Sequence, residues 1–253
     1  MVKILQGDCI ESMKTMPDES VDMIFTDPPY GHNNNNGDLI ARWEAALGHK
    51  AVAETEWRPI ANDGVEANDL VQSFFKQAER LLKSGCCCCC CCCGGGGPDP
   101  QFARWSLWLD EAFHGGFKQM IVWDKGPMGM GWHYRRSYEV ILVAQKRGAA
   151  AHWYSDKKDV ENIIRYYQGY GKIIPSKNQH PTEKPSQLAA FFIRLHTRKG
   201  ETILDPFAGS GSTGEAAEME GRNSILIELN PAYCEMAKKR TAQQGLFCKA
   251  AGM

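Results

Sequence analysis

A short apolar strand, Thr202 to Pro206, runs into Phe207-Ala208-Gly209-Ser210-Gly211-Ser212-Thr213-Gly214 and a helix, and a second apolar strand, Asn223 to Leu229, follows at once. Two strands joined through a helix run parallel, because a tight turn can connect only antiparallel neighbours. The same alternation recurs along the chain. Strands are expected at Met1 to Leu5, Val21 to Thr26, Cys86 to Cys93, Gln119 to Trp123 and Tyr138 to Ala144. Helical spacing covers Ile10 to Met16, Asp69 to Lys83, Gln101 to Phe113 and the stretch carrying Leu188, Phe191, Phe192 and Leu195. The pattern predicts an α/β fold with a seven-stranded, mostly parallel sheet and helices on both faces. The helix-free connection from Trp123 to Tyr138 allows one antiparallel hairpin.

With 253 residues the chain can bury one large core, so a single domain over 1–253 is expected, interrupted by two weakly patterned spans. Residues 31–68 hold His32, four asparagines and two tryptophans, and read as an insertion loop. Residues 149–179 are polar, basic and aromatic and read as a small recognition region or a plain excursion. No apolar stretch approaches the length of a membrane span and no signal segment opens the chain, so a soluble, cytoplasmic protein is expected.

Eight of the 11 cysteines form one run, Cys86 to Cys93. Neighbours along a chain rarely pair as disulfides, and a zinc site would want separated pairs that Cys9, Cys234 and Cys248 do not supply. Free cysteine behaves as a small buried hydrophobe, so the run is expected to be a central strand in a reducing compartment, with no metal bound. On Gln101 to Phe113, the aromatic stripe of Phe102, Trp105, Trp108, Leu109 and Ala112 is expected to face the core.

Charge is unevenly placed. The whole chain has a formal net charge of −1, but the span 118–199 holds 15 lysines and arginines against 6 acids and is therefore basic. A basic face suits a polyanion, and a solvated surface explains the same count. Arg135, Arg136, Lys157, Lys158, Lys172 and Lys177 are the candidate phosphate contacts.

Several strands end in acids or glycine turns, where ligands of open parallel sheets lie. Gly7-Asp8-Cys9 ends the first strand and Asp27-Pro28-Pro29-Tyr30 the second. The glycine turn from Asp205 to Gly214 brings a backbone against a small cofactor, and Glu228 ends the following strand, where a carboxylate can accept from two ribose hydroxyls. No Gly-Lys-Ser/Thr follows the turn, which argues against a nucleotide-phosphate loop. In Asp27-Pro28-Pro29-Tyr30 a carboxylate and a carbonyl held by two prolines can accept the hydrogens of a planar amine, and the tyrosine offers a stacking face. Alone, a strand followed by a proline turn explains that tetrapeptide equally well.

Taken in order, Gly7-Asp8, Asp27 to Tyr30, the strands of Trp123 and Tyr138, His180 to Pro185, Asp205 to Gly214 and Glu228 to Pro231 resemble the DNA adenine-N6 methyltransferases of the beta arrangement. In these amino-methyltransferases the catalytic motif precedes the S-adenosylmethionine motif. The resemblance implies a Rossmann-like S-adenosylmethionine-dependent methyltransferase fold, a flipped adenine in double-stranded DNA as substrate, and neither a metal nor a covalent enzyme intermediate. It implies that Phe207 to Gly211 wrap the methionine end of the cofactor, within a set that includes Cys9, Asp205, Pro206, Ala208, Gly209, Ser210 and Asn230. Glu228 would hold the ribose, Asp8 the cofactor adenine, and Lys184 would sit near the carboxylate. Asp27 and the Pro28 carbonyl would receive the N6 hydrogens beside Pro29, and Tyr30 would stack on the base. A homodimer, a restriction endonuclease partner, and a nucleoid-associated or phage-encoded setting are compatible with it. An aspartate at the first motif position resembles adenine enzymes, and serine is the commoner choice in cytosine-N4 relatives. Cytosine N4, RNA adenine, and a non-catalytic DNA-binding protein of the same fold are the alternatives, with a cysteine-based metal or redox protein a further reading that the missing ligand spacing disfavours.

Overall fold

The computed structural model describes residues 1–31, 60–92, 101–126, 137–165 and 184–250. In chain order the elements are β1 (Val2–Gln6), α1 (Cys9–Lys14), β2 (Val21–Thr26), α2 (Ala67–Leu81), β3 (Leu82–Cys92), α3 (Gln101–Ala112) and β4 (Phe117–Asp124). They continue with β5 (Tyr138–Gln145), β6 (Ile163–Arg165), α4 (Ser186–His196), β7 (Thr202–Asp205), α5 (Ser212–Met219), β8 (Asn223–Glu228) and α6 (Pro231–Ala250). The strands form one sheet in the order β1-β8-β7-β2-β3-β5-β4-β6. From β1 through β3 every pair is parallel, β5 runs antiparallel to both β3 and β4, and β6 is parallel to β4.

The sheet has one strand more than expected. The addition, β6, lies in the 149–179 region, where only Ile164 of its three residues is buried. A strand so short has no readable periodicity; its pairing with Val122 to Asp124 of β4 creates it. The β4–β5 hairpin matches expectation, and the second antiparallel ladder, β3 with β5, follows from where the hairpin docks.

Cys86 to Cys92 of the cysteine run belong to a central strand between β2 and β5, and Cys86 to Cys91 are all buried; Cys93 lies outside the described residues. Period-two geometry sends Cys86, Cys88 and Cys90 toward Phe74, Phe75, Trp105 and Leu109, while Cys87, Cys89 and Cys91 face Leu188, Phe192, Ala216 and Ala217. Thus α1, α2 and α3 cover one face, and α4 and α5 cover the other. A thiol is small, and large residues fill the space around it: Phe25, Phe74, Phe75, Trp105 and Phe192 are nearly inaccessible to solvent.

Two boundaries differ from the sequence expectation. Helix α2 begins at Ala67 and stops at Leu81, ahead of Ser84-Gly85, because Leu82 is already extended and pairs with Val21 of β2. On α3, Trp105 and Leu109 are fully buried, but Phe102 is 42% exposed, so the core stripe is narrower than predicted. Among the described residues no helix is long and apolar enough to cross a membrane.

Candidate active site

The carboxyl ends of β1, β8, β7 and β2 stand side by side although they come from opposite ends of the chain. Gly7-Asp8-Cys9 leaves β1, Glu228 ends β8, Asp205 ends β7, and Asp27 follows β2. Between them opens a cleft of about 1140 Å³, including space open to solvent. Asp8, Cys9, Asp27, Pro28, Pro29, Tyr30, Lys184, the stretch from Asp205 to Ser210, Glu228 and Asn230 all line it. The order of the strands is what makes one site of them.

At the β2 end, Lys184 is the centre of a charged cluster. Its Nζ donates to Asp27 Oδ2 at 2.6 Å and to the Tyr30 hydroxyl at 3.2 Å, and it lies 3.3 Å from Glu139 Oε2. Tyr30 donates its hydroxyl hydrogen to Asp27 Oδ1. Glu139, on β5, also accepts from Lys125 Nζ at 2.6 Å. Burial alone would raise the Glu139 carboxyl, but Lys184 and then Lys125 outweigh it and hold the pKa at about 2 instead of 4.5. For Asp27 burial wins: desolvation raises the carboxyl, Lys184 opposes the rise, and Glu139 adds to it.

The Asp-Pro-Pro-Tyr backbone is tied down from a distant segment. Asp63, 2% exposed, accepts from the Tyr30 and Gly31 amides at 2.8 Å each. Prolines fix φ but remove donors, so the first free amides after them are the ones available for such anchoring. The Tyr30 ring packs at 6.0 Å from that of Trp105.

At the β8 end, Glu228 accepts from Gly209 N at 2.9 Å and from Asn230 N at 2.7 Å, one bond to each carboxylate oxygen. Each oxygen retains acceptor capacity toward the cleft. Desolvation raises the Glu228 carboxyl, and these amide bonds counteract it. Gly209 has φ +51, in the left-handed region that lets its amide turn toward Glu228. Asp205 is tied to Thr26 Oγ1 at 2.7 Å and to Phe207 N at 3.1 Å, and burial lifts its pKa to about 6. Asp8 caps α1 by accepting from Glu11 N at 2.9 Å, and burial pushes the neighbouring Cys9 thiol up to about 12.

Some predicted residues are placed differently. Lys184, expected near a cofactor carboxylate, is directed at Asp27, Glu139 and Tyr30. Gly211 does not line the cleft; it has φ +85, and a Cβ there would stand 2.9 Å from Ala237 Cα, so this glycine serves the approach of α5 to α6. Lys157 and Lys158 are exposed, whereas Arg135, Arg136, Lys172 and Lys177 lie outside the described residues, as do most of 31–68 and the second half of 149–179. Glu139 and Asp63 were missed. Nothing local marks a glutamate inside an apolar strand or an aspartate at the end of a long insertion, and only their distant partners reveal them.

A family model described as DNA methylase, of the N6/N4 methyltransferase type, matches residues 21–239. The chain belongs to this DNA methylase family. Its cofactor is S-adenosylmethionine and its substrate class is DNA. The methylase is 27% identical to the Type II methyltransferase M.HinfI of Haemophilus influenzae over 94% of this chain and 67% of that one. It is 26% identical to the DNA adenine methyltransferase YhdJ of Escherichia coli strain K12, over 94% of this chain and 81% of the relative. Among solved structures, the complex of M1.HpyAVI with S-adenosylmethionine superposes with a TM-score of 0.65 at 26% identity, covering 95% of the methylase and 98% of M1.HpyAVI.

The cleft fits that cofactor. It is lined by the turn at Gly209, whose amide holds Glu228, by the Glu228 carboxylate with its unused acceptor capacity, and by Phe207, whose ring is braced at 5.4 Å by Phe74.

Proposed function

We propose that this methylase transfers a methyl group from S-adenosylmethionine to the N6 amine of an adenine flipped out of double-stranded DNA. The observation that carries the proposal is the position of Asp27. Its carboxylate and the Pro28 carbonyl follow the same strand end, and the carboxylate lines the cleft that adjoins Glu228 and the Gly209 turn. An aromatic amine is a poor nucleophile because its lone pair is delocalised into the ring. Acceptors for both of its hydrogens favour the pyramidal, nucleophilic form.

The cofactor supplies an electrophilic methyl on a sulfonium, so no metal is needed to activate it. Glu228 binds the ribose hydroxyls, Asp8 and the turn from Phe207 to Ser210 orient the remaining parts, and Asn230 holds the Glu228 carboxylate in place. Asp27 would accept one N6 hydrogen and the Pro28 carbonyl the other; as N6 takes the methyl group, the methyl–sulfur bond would break to leave the neutral thioether, S-adenosylhomocysteine, and the amine would lose one proton by way of Asp27 to solvent. Burial raises the Asp27 carboxyl, and Lys184 opposes that rise. Tyr30 supplies the stacking face.

Aspartate as the first residue of the motif favours adenine over cytosine, and the name of the Escherichia coli relative supports the same choice. The basic span, with Lys157 and Lys158 exposed on it, contacts phosphates. The proposal extends to action in the bacterial cytoplasm on nucleoid or phage DNA, and to pairing with a restriction endonuclease of the same specificity. The enzyme acts as a monomer or as a homodimer.

The test is to incubate the protein with DNA and labelled S-adenosylmethionine, digest the DNA to nucleosides and identify the product by chromatography and mass. N6-methyladenosine is expected in its deoxy form; N4-methyldeoxycytidine or an absence of transfer overturns the proposal.

A further inference from the structure

The cysteine strand carries chemistry that methyl transfer does not use. Cys87 and Cys89 leave β3 on the face covered by α4, with their Sγ atoms 3.9 Å apart. His196, the last residue of α4, reaches the same place: the two sulfurs and an imidazole nitrogen all lie within 4.8 Å of one another. The sequence alone could not bring them together, because more than a hundred residues of chain, about two fifths of its length, separate His196 from the strand.

We propose that Cys87, Cys89 and His196 form a zinc site. Two thiolates bound at about 2.3 Å with tetrahedral geometry stand about 3.8 Å apart, and a thiolate and an imidazole nitrogen about 3.6 Å apart. The separation of the Cys87 and Cys89 sulfurs, 3.9 Å, therefore needs almost no adjustment. The imidazole is oriented as metal-binding histidines are: Nδ1 lies 3.1 Å from the His152 carbonyl oxygen, and donating its hydrogen there leaves Nε2 as the free acceptor nitrogen. Trp153 packs edge-on against the His196 ring at 5.4 Å and limits its rotation. His152 is itself positioned, with its own Nδ1 3.3 Å from the Cys86 sulfur.

Charge also favours the assignment. Binding releases one proton from each thiol, and two thiolates neutralise the divalent ion, so the loaded site adds no net charge to an apolar layer. A water molecule completes the coordination, as in other sites with three protein ligands. Cys87 and Cys89 pair with Met23 and Phe25 of β2, short of Asp27, so the ion lies between β3 and the end of α4, away from the methyl-transfer cleft, and takes no part in methyl transfer. It fastens β3 to the end of the helix whose first turn follows Lys184.

The full-length protein, purified under reducing conditions and stripped with a chelator, is titrated with zinc in competition with a chromophoric chelator, and in parallel with cobalt(II). One zinc per chain is expected, raising the thermal midpoint, with cobalt giving thiolate charge-transfer bands and the intense visible bands of a tetrahedral site. Cys87→Ser and His196→Ala should each weaken binding at least tenfold, while Cys88→Ser, on the opposite face of the same strand, should not. The conservative His196→Asn serves if the alanine variant does not fold. Zinc uptake that is equally insensitive to all these changes means non-specific binding along the cysteine run and overturns the proposal, as does a chain that takes up no zinc.

Discussion

Lys184 Nζ lies 2.6 Å from Asp27 Oδ2, across 157 residues of sequence, and the same ammonium is 3.3 Å from Glu139. One buried cation thus serves two carboxylates with opposite results, Glu139 held low and Asp27 raised by its burial. That relationship sets the pH behaviour of the site.

The rate of methyl transfer should fall as pH drops through the raised pKa of Asp27, since only the ionised carboxylate accepts the amine hydrogen. Lys184 lowers that pKa and Glu139 raises it. In profiles of kcat/KM against pH, Lys184→Met should move the acidic limb to higher pH and Glu139→Gln to lower pH. Shifts in the same direction for both would contradict the assigned electrostatics.

Asp27→Ala should reduce transfer by at least about a hundredfold, the usual scale for removing a positioned proton acceptor. Binding of S-adenosylmethionine, measured by calorimetry, should change less than threefold on the scale of a tenfold step per 1.4 kcal/mol. Parallel loss of both would assign Asp27 to cofactor binding instead.

The opposite split is expected at the other end of the cleft. Glu228→Ala removes the ribose acceptor, and Gly209→Val forces a β-branched residue into φ +51. Each should raise the cofactor Kd by roughly tenfold or more, equivalent to about 1.4 kcal/mol. The rate at saturating cofactor should fall much less. Unchanged Kd values would place the cofactor elsewhere.

Glu139 should also give stability a distinct pH dependence. Its folded pKa is about 2 against an ordinary 4.5, so its contribution is fully present above pH 4.5 and is lost as pH falls toward 2. Asp205, raised to about 6, acts in the opposite sense, favouring the folded state as pH falls from 6 toward 4. Comparing wild type with Glu139→Gln by urea unfolding at pH 7 and pH 3 cancels the Asp205 effect. Wild type should lose on the order of 2 kcal/mol more than the variant over that interval.

For DNA, replacing both Lys157 and Lys158 by alanine should weaken binding at low salt and reduce the slope of log K against log salt by about 2, one phosphate contact for each lysine. Arg135→Ala with Arg136→Ala should act in the same direction. An unchanged slope for both pairs would move the DNA surface off the basic span.

The alternation of strand and helix and the burial of the cysteine strand follow from local pattern, and both were legible in the sequence. Side chains of period two on β3 need only know that both faces of the sheet are covered. The motifs at Asp27 to Tyr30, Asp205 to Gly209 and Glu228 were visible for the same reason: strand ends, prolines and glycine turns are written in neighbouring residues. Gly211 was legible as part of a turn, but its packing against Ala237 was not.

What only the tertiary structure decided is which distant groups meet. Parallel pairing of β7 with β2 and β8 puts Asp205 and Glu228 beside Asp27, and docking of β5 on β3 puts Glu139 under Lys184. The same docking of α4 delivers His196 to Cys87 and Cys89. Local sequence sets backbone preference and periodicity over a few residues, whereas charge pairing and ligand clusters depend on separations in space. Methyl-transfer chemistry was therefore written in short motifs, while its electrostatic tuning and the metal-binding cluster emerged only when the sheet was assembled.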